Sequence, residues 1–176
     1  RTCRPTEQAA KFLTRYTNDT IGRIRDFAAV RTTRRVTVLH DDSRTVQLPA
    51  RPDGVFTSPP YPGLIDYHEQ HRYAYELLGL DDRRDLELGA ASLGTSKRAL
   101  EAYVDGMARV FRAQSRRLEP DAPVIVVVND RRDLYPDVLA RSGLRLVDRL
   151  ERHVNRRTGR RSGEYFESIL VCVREP

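Results

Sequence analysis

The residues of this chain best suited to chemistry are Thr57-Ser58-Pro59-Pro60-Tyr61. Two consecutive prolines fix their own φ angles and remove two N–H donors. The carbonyls before and between them can then point outward with no competing donor alongside. Ser58 adds a side-chain oxygen, and Tyr61 adds a flat ring with a polar tip. The set is a rigid cluster of acceptors beside a stacking platform, which suits a planar group bearing an NH2. The bland reading of the same string is a proline turn in a random loop, and its position in the chain is what separates the two.

The motif follows a short apolar run, Val55-Phe56-Thr57, which is itself preceded by the turn residues Pro52-Asp53-Gly54. That pattern predicts a strand running straight into the motif, and open α/β sheets bind ligands beyond the carboxyl ends of their strands. The flanking elements are legible to a similar degree. Thr6 to Val30 has helical spacing, with Phe12, Leu13 and Tyr16 on one face, Ile21, Ile24, Phe27 and Ala28 on another, and Asn18-Asp19 as a candidate break. Arg35 to Leu39 is short and β-branched and enters the polar stretch His40-Asp41-Asp42, the mark of a strand ending in a loop.

Tyr67 to Leu80 reads as a helix and the acidic Asp81 to Ser92 as a loop. From Ser96 to Leu118 the stripe Leu100, Tyr103, Val104, Met107, Val110 and Phe111 predicts a core-facing helix capped by Ser96. Glu119-Pro120-Asp121 ends it. Val124 to Val128 is the run of a buried central strand, and Tyr135 to Ser142 is a helix with Gly143 as its C-cap. Leu144 to Val154 and Tyr165 to Val173 read as two strands joined only by the Arg-rich loop Asn155 to Gly163, so they must be antiparallel. Strands alternating with helices predict an α/β domain with a mostly parallel sheet and an antiparallel C-terminal hairpin.

Composition narrows the function less. The chain has 176 residues, enough for one core, and a net charge of +6, which fits a polyanionic partner without demanding one. Its basic residues are almost all Arg, with Lys only at Lys11 and Lys97. Cys3 and Cys172 lie far apart, in no CxxC pair and near no His at metal spacing, so neither a zinc site nor a disulfide framework is expected, and a reducing cytoplasm is. His40, His68 and His71 raise a metal site as one reading; the preferred one makes His40 a loop residue and the other two helix decoration. No apolar run approaches a membrane span, and Arg1 to Glu7 is polar and lacks an apolar h-region, so no signal peptide is expected. With no initiator Met, the chain is expected to begin inside a longer reading frame.

The segment Ser58-Pro59-Pro60-Tyr61 resembles motif IV of the DNA amino-methyltransferases, the (S/D/N)PPY signature. Val36 to Ser43 looks like that family's strand ending in an acidic residue near the cofactor, and Pro62-Gly63-Leu64-Ile65-Asp66-Tyr67 looks like the segment that often follows SPPY. Arg117-Leu118-Glu119-Pro120 leading to Val124 to Asn129 resembles the family's R-x-L-x-P-G-G turn, with Asp121-Ala122 in place of Gly-Gly. The resemblance covers about Val36 to Glu175.

This resemblance implies an incomplete Rossmann-like methyltransferase fold, with residues 1–34 as a helical N-terminal segment and residues 35–176 as the catalytic part. It implies S-adenosylmethionine as cofactor, DNA as partner, and a place in restriction-modification. Ser58 and the Pro59 carbonyl would accept from the target amino group, with Pro60 holding the turn. Tyr61 would stack on a base flipped from the duplex. Asp42, then Asp41, and Thr57 would face the cofactor. Arg156, Arg157, Arg160 and Arg161 sit where the family has a variable hairpin, and read either as phosphate contacts or as a solvated tip. Tyr67 is grouped with them as a nucleic-acid contact.

Ser58 in place of Asp favours N4 of cytosine over N6 of adenine. The family's Gly-rich cofactor loop, FxGxG, is missing, since the ten glycines never occur as GxG. It is expected in an N-terminal part or, failing that, on a complementing polypeptide. The rival readings are an RNA or protein amino-methyltransferase, and a non-catalytic nucleic-acid-binding module with a methyltransferase-like fold.

Overall fold

The computed structural model describes residues 8–154 and 166–175. The chain divides into two compact units, Arg1–Leu39 and His40–Pro176. In the first, helix α1 runs unbroken over Ala9–Val30. The break expected at Asn18-Asp19 does not occur. Asn or Asp inside a helix costs only about half a kcal/mol relative to Ala, and Asp19 pairs with Arg23 one turn on at 3.0 Å. The strand expected over Arg35–Leu39 does not form either. Residues 31–40 have no regular structure, and Val36 and Val38 are 81% and 86% exposed. A β-branched run becomes a strand by packing against ladder neighbours, and no described strand pairs with this one.

The second unit is a four-stranded sheet with helices. Its strands are β1 (Val55–Thr57), β2 (Val124–Val128), β3 (Leu144–His153) and β4 (Phe166–Arg174), in the order β1-β2-β4-β3. β1 pairs parallel to β2, with Val55 opposite Val124. β4 pairs antiparallel to both β2 and β3, with Val124 opposite Cys172 and Leu144 opposite Arg174. The sheet is therefore mixed: β1, β2 and β3 run the same way and β4 runs against them. The antiparallel hairpin forms as expected, but its returning strand inserts between β2 and β3, which themselves run in the same direction. A register shift between Leu146 and Asp148 interrupts the regular pairing of β3 with β4.

One sheet face carries the core. Val124, Val126 and Val128 alternate with half-buried residues along β2 and pack with Leu170 and Cys172 of β4. Helix α4 (Lys97–Ser115) lays Tyr103, Val104, Met107 and Phe111 on that face, and α5 (Tyr135–Ser142) lays Val138 and Leu139 beside them. Ser96 caps α4, accepting from the Ala99 N–H at 3.2 Å. Gly143 ends α5 at φ 69°, a left-handed conformation that favours glycine. The helix expected over Tyr67–Leu80 is two helices, α2 (Tyr67–Gln70) and α3 (Arg72–Leu78), interrupted at His71 (φ −101°, ψ 12°). No described helix is long and apolar enough to cross a membrane.

Candidate active site

β1 ends at Thr57, so the motif leaves the sheet at the C-terminal end of a strand, as the sequence predicts. Pro59 is buried, Pro60 and Tyr61 are half-buried, and Ser58 is exposed. The loop is tied down from two sides. From the core, the Tyr103 hydroxyl on α4 donates to the Pro60 carbonyl at 2.8 Å and lies 3.1 Å from the Tyr135 hydroxyl on α5. From the sheet, the Tyr61 hydroxyl donates to Glu167 Oε1 at 2.8 Å, while Arg152 binds the other oxygen of Glu167.

These partners are held in defined charge states. Burial pushes the Tyr103 phenol up to about 12, and pushes Tyr135 up as well, so both are neutral hydroxyls near pH 7. Burial also pushes Glu167 upward, but the hydrogen bonds from Arg152 and Tyr61 outweigh it and hold its carboxyl below the ordinary value.

Residues of the loop line two cavities within the second unit. Ser58, Pro59 and Pro60 line the larger, about 650 Å³, together with Asp41, Asp42 and Thr57. Its apolar wall includes Met107, Val110 and Phe111 from α4. Tyr61 lines the smaller, about 140 Å³, with Tyr103, Asn129 and Tyr135. A volume of the larger kind is typical of cofactor and small-ligand sites.

The structure thus brings Asp41, Asp42 and Thr57, expected to face a cofactor, to the same cavity as Ser58 of the motif. Asp42 is not a free carboxylate there. Arg44 binds it through Nε and Nη2 at 2.6–2.9 Å, and the Arg44 backbone N–H adds a bond at 2.9 Å. That pairing holds the Asp42 carboxyl below its ordinary value. Tyr67, expected as a nucleic-acid contact, lines the same large cavity. Arg156, Arg157, Arg160 and Arg161 lie outside the described residues.

His68 is not surface decoration. It is buried, its Nε2 is 2.9 Å from Asp82, and its ring centroid is 4.1 Å from that of Tyr75. Among the described residues no group of three His, Cys, Asp or Glu side chains could hold a metal ion.

Sequence reasoning misses Tyr103, Tyr135 and Glu167 as site residues. By spacing, Tyr103 is one member of a core stripe. The available signal is its hydroxyl: a buried Tyr needs a hydrogen-bond partner where Phe would need none. Glu167 carries no such signal, because its approach to Tyr61 depends on β4 lying beside β2.

The fold and site define an α/β domain with a proline-fixed acceptor loop at a strand end, facing a cofactor-sized cavity. In comparisons with known proteins the chain is 41% identical, over 188 aligned residues, to the Type II methyltransferase M.MjaII of Methanocaldococcus jannaschii. The alignment takes in 98% of this chain and 36% of that protein, so the chain spans about a third of the length of this curated relative. No family model matches, and no solved structure does.

Proposed function

We propose that this chain carries the catalytic motif of an S-adenosylmethionine-dependent DNA methyltransferase that modifies an exocyclic amino group, N4 of cytosine ahead of N6 of adenine. The observation that carries the reading is the loop itself: Ser58 and Pro59 front the 650 Å³ cavity while Tyr61, in the same turn, lines the separate 140 Å³ one. A donor on one side and a base on the other would meet at the motif. The similarity to a Type II methyltransferase along nearly the whole chain supports it.

The residues present suit the cofactor in kind. Apolar side chains of α4 would face an adenine ring, and Asp41, which lines the same cavity, would take a hydroxyl or cationic group, Asp42 being held by Arg44. Bound there, S-adenosylmethionine would supply an electrophilic methyl group on a sulfonium. The chain's own part is positioning and electrostatics. Ser58 Oγ and the Pro59 carbonyl accept the two N–H bonds of the amino group, which turns the nitrogen lone pair toward the donor. Tyr61 stacks on the base once it has left the duplex, because the amino group cannot be reached inside the stack. Transfer would be direct and in line, the sulfur–methyl bond breaking as the nitrogen–methyl bond forms, with the thioether as leaving group and one amino proton passing to solvent, and no bond between enzyme and base.

The test is transfer of a labelled methyl group by the full-length protein to duplex DNA, tRNA and protein offered separately. Label in DNA alone is the expected result. Label in tRNA or protein would replace this reading with the RNA or protein amino-methyltransferase.

A further inference from the structure

Two core tyrosines govern the motif through the direction of their hydrogen bonds. The Pro60 carbonyl has no proton, so Tyr103, 2.8 Å away, must donate to it. Tyr103 has only one proton to give. The contact between its hydroxyl and that of Tyr135, 3.1 Å away, must therefore run from Tyr135 to Tyr103. The bonds form a one-way relay, Tyr135 to Tyr103 to Pro60, inside the core, where the two tyrosines are 3% and 1% exposed. Phe at either position would fill the same apolar space. What the hydroxyls add is a hold on one carbonyl.

That hold reaches the acceptors because of the prolines. The Pro59 carbonyl lies in one peptide plane and the Pro60 carbonyl in the next, and between two planes there are two torsions. The ring of Pro60 locks its φ, leaving ψ as the single soft angle. With Pro59 buried on one side of that angle and the Pro60 carbonyl held by Tyr103 on the other, ψ is restrained, and with it the direction of the Pro59 carbonyl. The Tyr103 ring is itself confined. Gly89, at φ 71°, packs so closely that an added Cβ would come within 2.9 Å of it.

We propose that Tyr103 and Tyr135 are positioning residues for methyl transfer: a two-hydroxyl relay that sets the direction of the Pro59 carbonyl and, through it, of the amino group it accepts. The proposal rests on the reading of Ser58-Pro59-Pro60-Tyr61 as the amino-group site. The relay acts on turnover and not on cofactor affinity, and Tyr135 acts only through Tyr103.

The experiment measures kcat for DNA methylation and the Kd for S-adenosylmethionine in the full-length protein carrying Tyr103→Phe, Tyr135→Phe, both together, or Ser58→Ala. Tyr103→Phe is expected to lower kcat roughly 10- to 100-fold, the scale of a small misplacement of reacting groups. Its Kd should stay within about twofold. Tyr135→Phe should have the smaller effect, and the double variant should match Tyr103→Phe, since residues acting in series are not additive. Val138→Ala, a core truncation on α5 with no polar role, should lower the melting temperature yet leave kcat intact below it.

An unchanged kcat in Tyr103→Phe alongside an inactive Ser58→Ala would overturn the relay alone. An active Ser58→Ala would overturn the site reading and the relay with it. Should Tyr103→Phe not fold, Tyr135→Phe decides: lowered kcat with unchanged Kd supports the relay, and unchanged kcat overturns it.

Discussion

The Tyr61 hydroxyl donates to Glu167 Oε1 across 2.8 Å, joining the motif loop to a strand more than a hundred residues further along the chain. The bond makes the smaller cavity's stacking ring part of the sheet and not of a free loop. Tyr61→Phe should keep the ring and remove the tether. Its expected effect is about threefold to tenfold on the KM for DNA, with little change in kcat, as befits a hydrogen bond contributing about 1 kcal/mol. Glu167→Gln, which retains an acceptor, should keep KM close to that of the parent. Steady-state kinetics on the pair checks both, and a Tyr61→Phe enzyme indistinguishable from the parent would make the tether incidental.

Asp42 gives a dependence on pH whose sign follows from its partner. Hydrogen bonding to Arg44 holds its carboxyl below the ordinary 3.8. With a folded pKa below the unfolded one, the unfolded chain takes up the proton first as pH falls. The stabilisation is therefore complete above about pH 5 and is lost as pH drops through the folded pKa. Glu167, also held below its ordinary value, acts in the same direction. Asp42→Asn should flatten the acid limb of the stability curve. Urea midpoints at neutral and at acid pH decide it; an equal drop in both proteins would assign the acid sensitivity elsewhere.

The chain by itself should bind S-adenosylmethionine poorly. Among the described residues no glycine lines the large cavity, so no backbone segment there has the freedom for close approach that glycine confers. Asp42 is already occupied by Arg44. A hydrogen bond to Asp41 contributes about 1 kcal/mol net, against about 8 kcal/mol for micromolar binding. Calorimetry on the isolated chain should return a dissociation constant of about 1 mM or weaker. A micromolar value would mean that other residues of the chain form the binding loop.

The arginine loop carries a separate prediction. Replacing Arg156, Arg157, Arg160 and Arg161 with Ala should weaken binding to duplex DNA and flatten its salt dependence. Each phosphate that the loop no longer neutralises takes about 0.9 from the slope of log K against log salt. Fluorescence anisotropy over a salt series measures it. An unchanged slope would mean that these arginines make no phosphate contacts.

How much of this is legible in the sequence depends on how local the cause is. Val55–Thr57, Val124–Val128 and the Ser96-capped α4 are written in nearest-neighbour pattern and spacing, and they form where expected. Arg35–Leu39 has the composition of a strand but no ladder partner, and pairing is not a local property. The mixed sheet escapes for a like reason, because nothing in Phe166–Arg174 says that it will lie beside β2. Of the residues that line the large cavity, Ser58, Thr57, Asp41 and Asp42 can be singled out in the sequence because they stand in or beside the motif and an acidic pair after an apolar run. Tyr103, Tyr135 and Glu167 cannot, since each gains its role only when a distant element brings a carbonyl or hydroxyl to it. Arg44 sits two residues from Asp42, yet the sequence does not say that it will occupy the carboxylate.

The central claim is that Ser58 and Pro59 present an exocyclic nitrogen for methylation. It is tested most directly by mass spectrometry of nucleosides from DNA treated with the full-length protein and S-adenosylmethionine. The account predicts a methylamino nucleoside, N4-methylcytosine in first place, and its disappearance in Ser58→Ala. Methyl on a ring carbon, as in 5-methylcytosine, or an undiminished yield from Ser58→Ala, would contradict it.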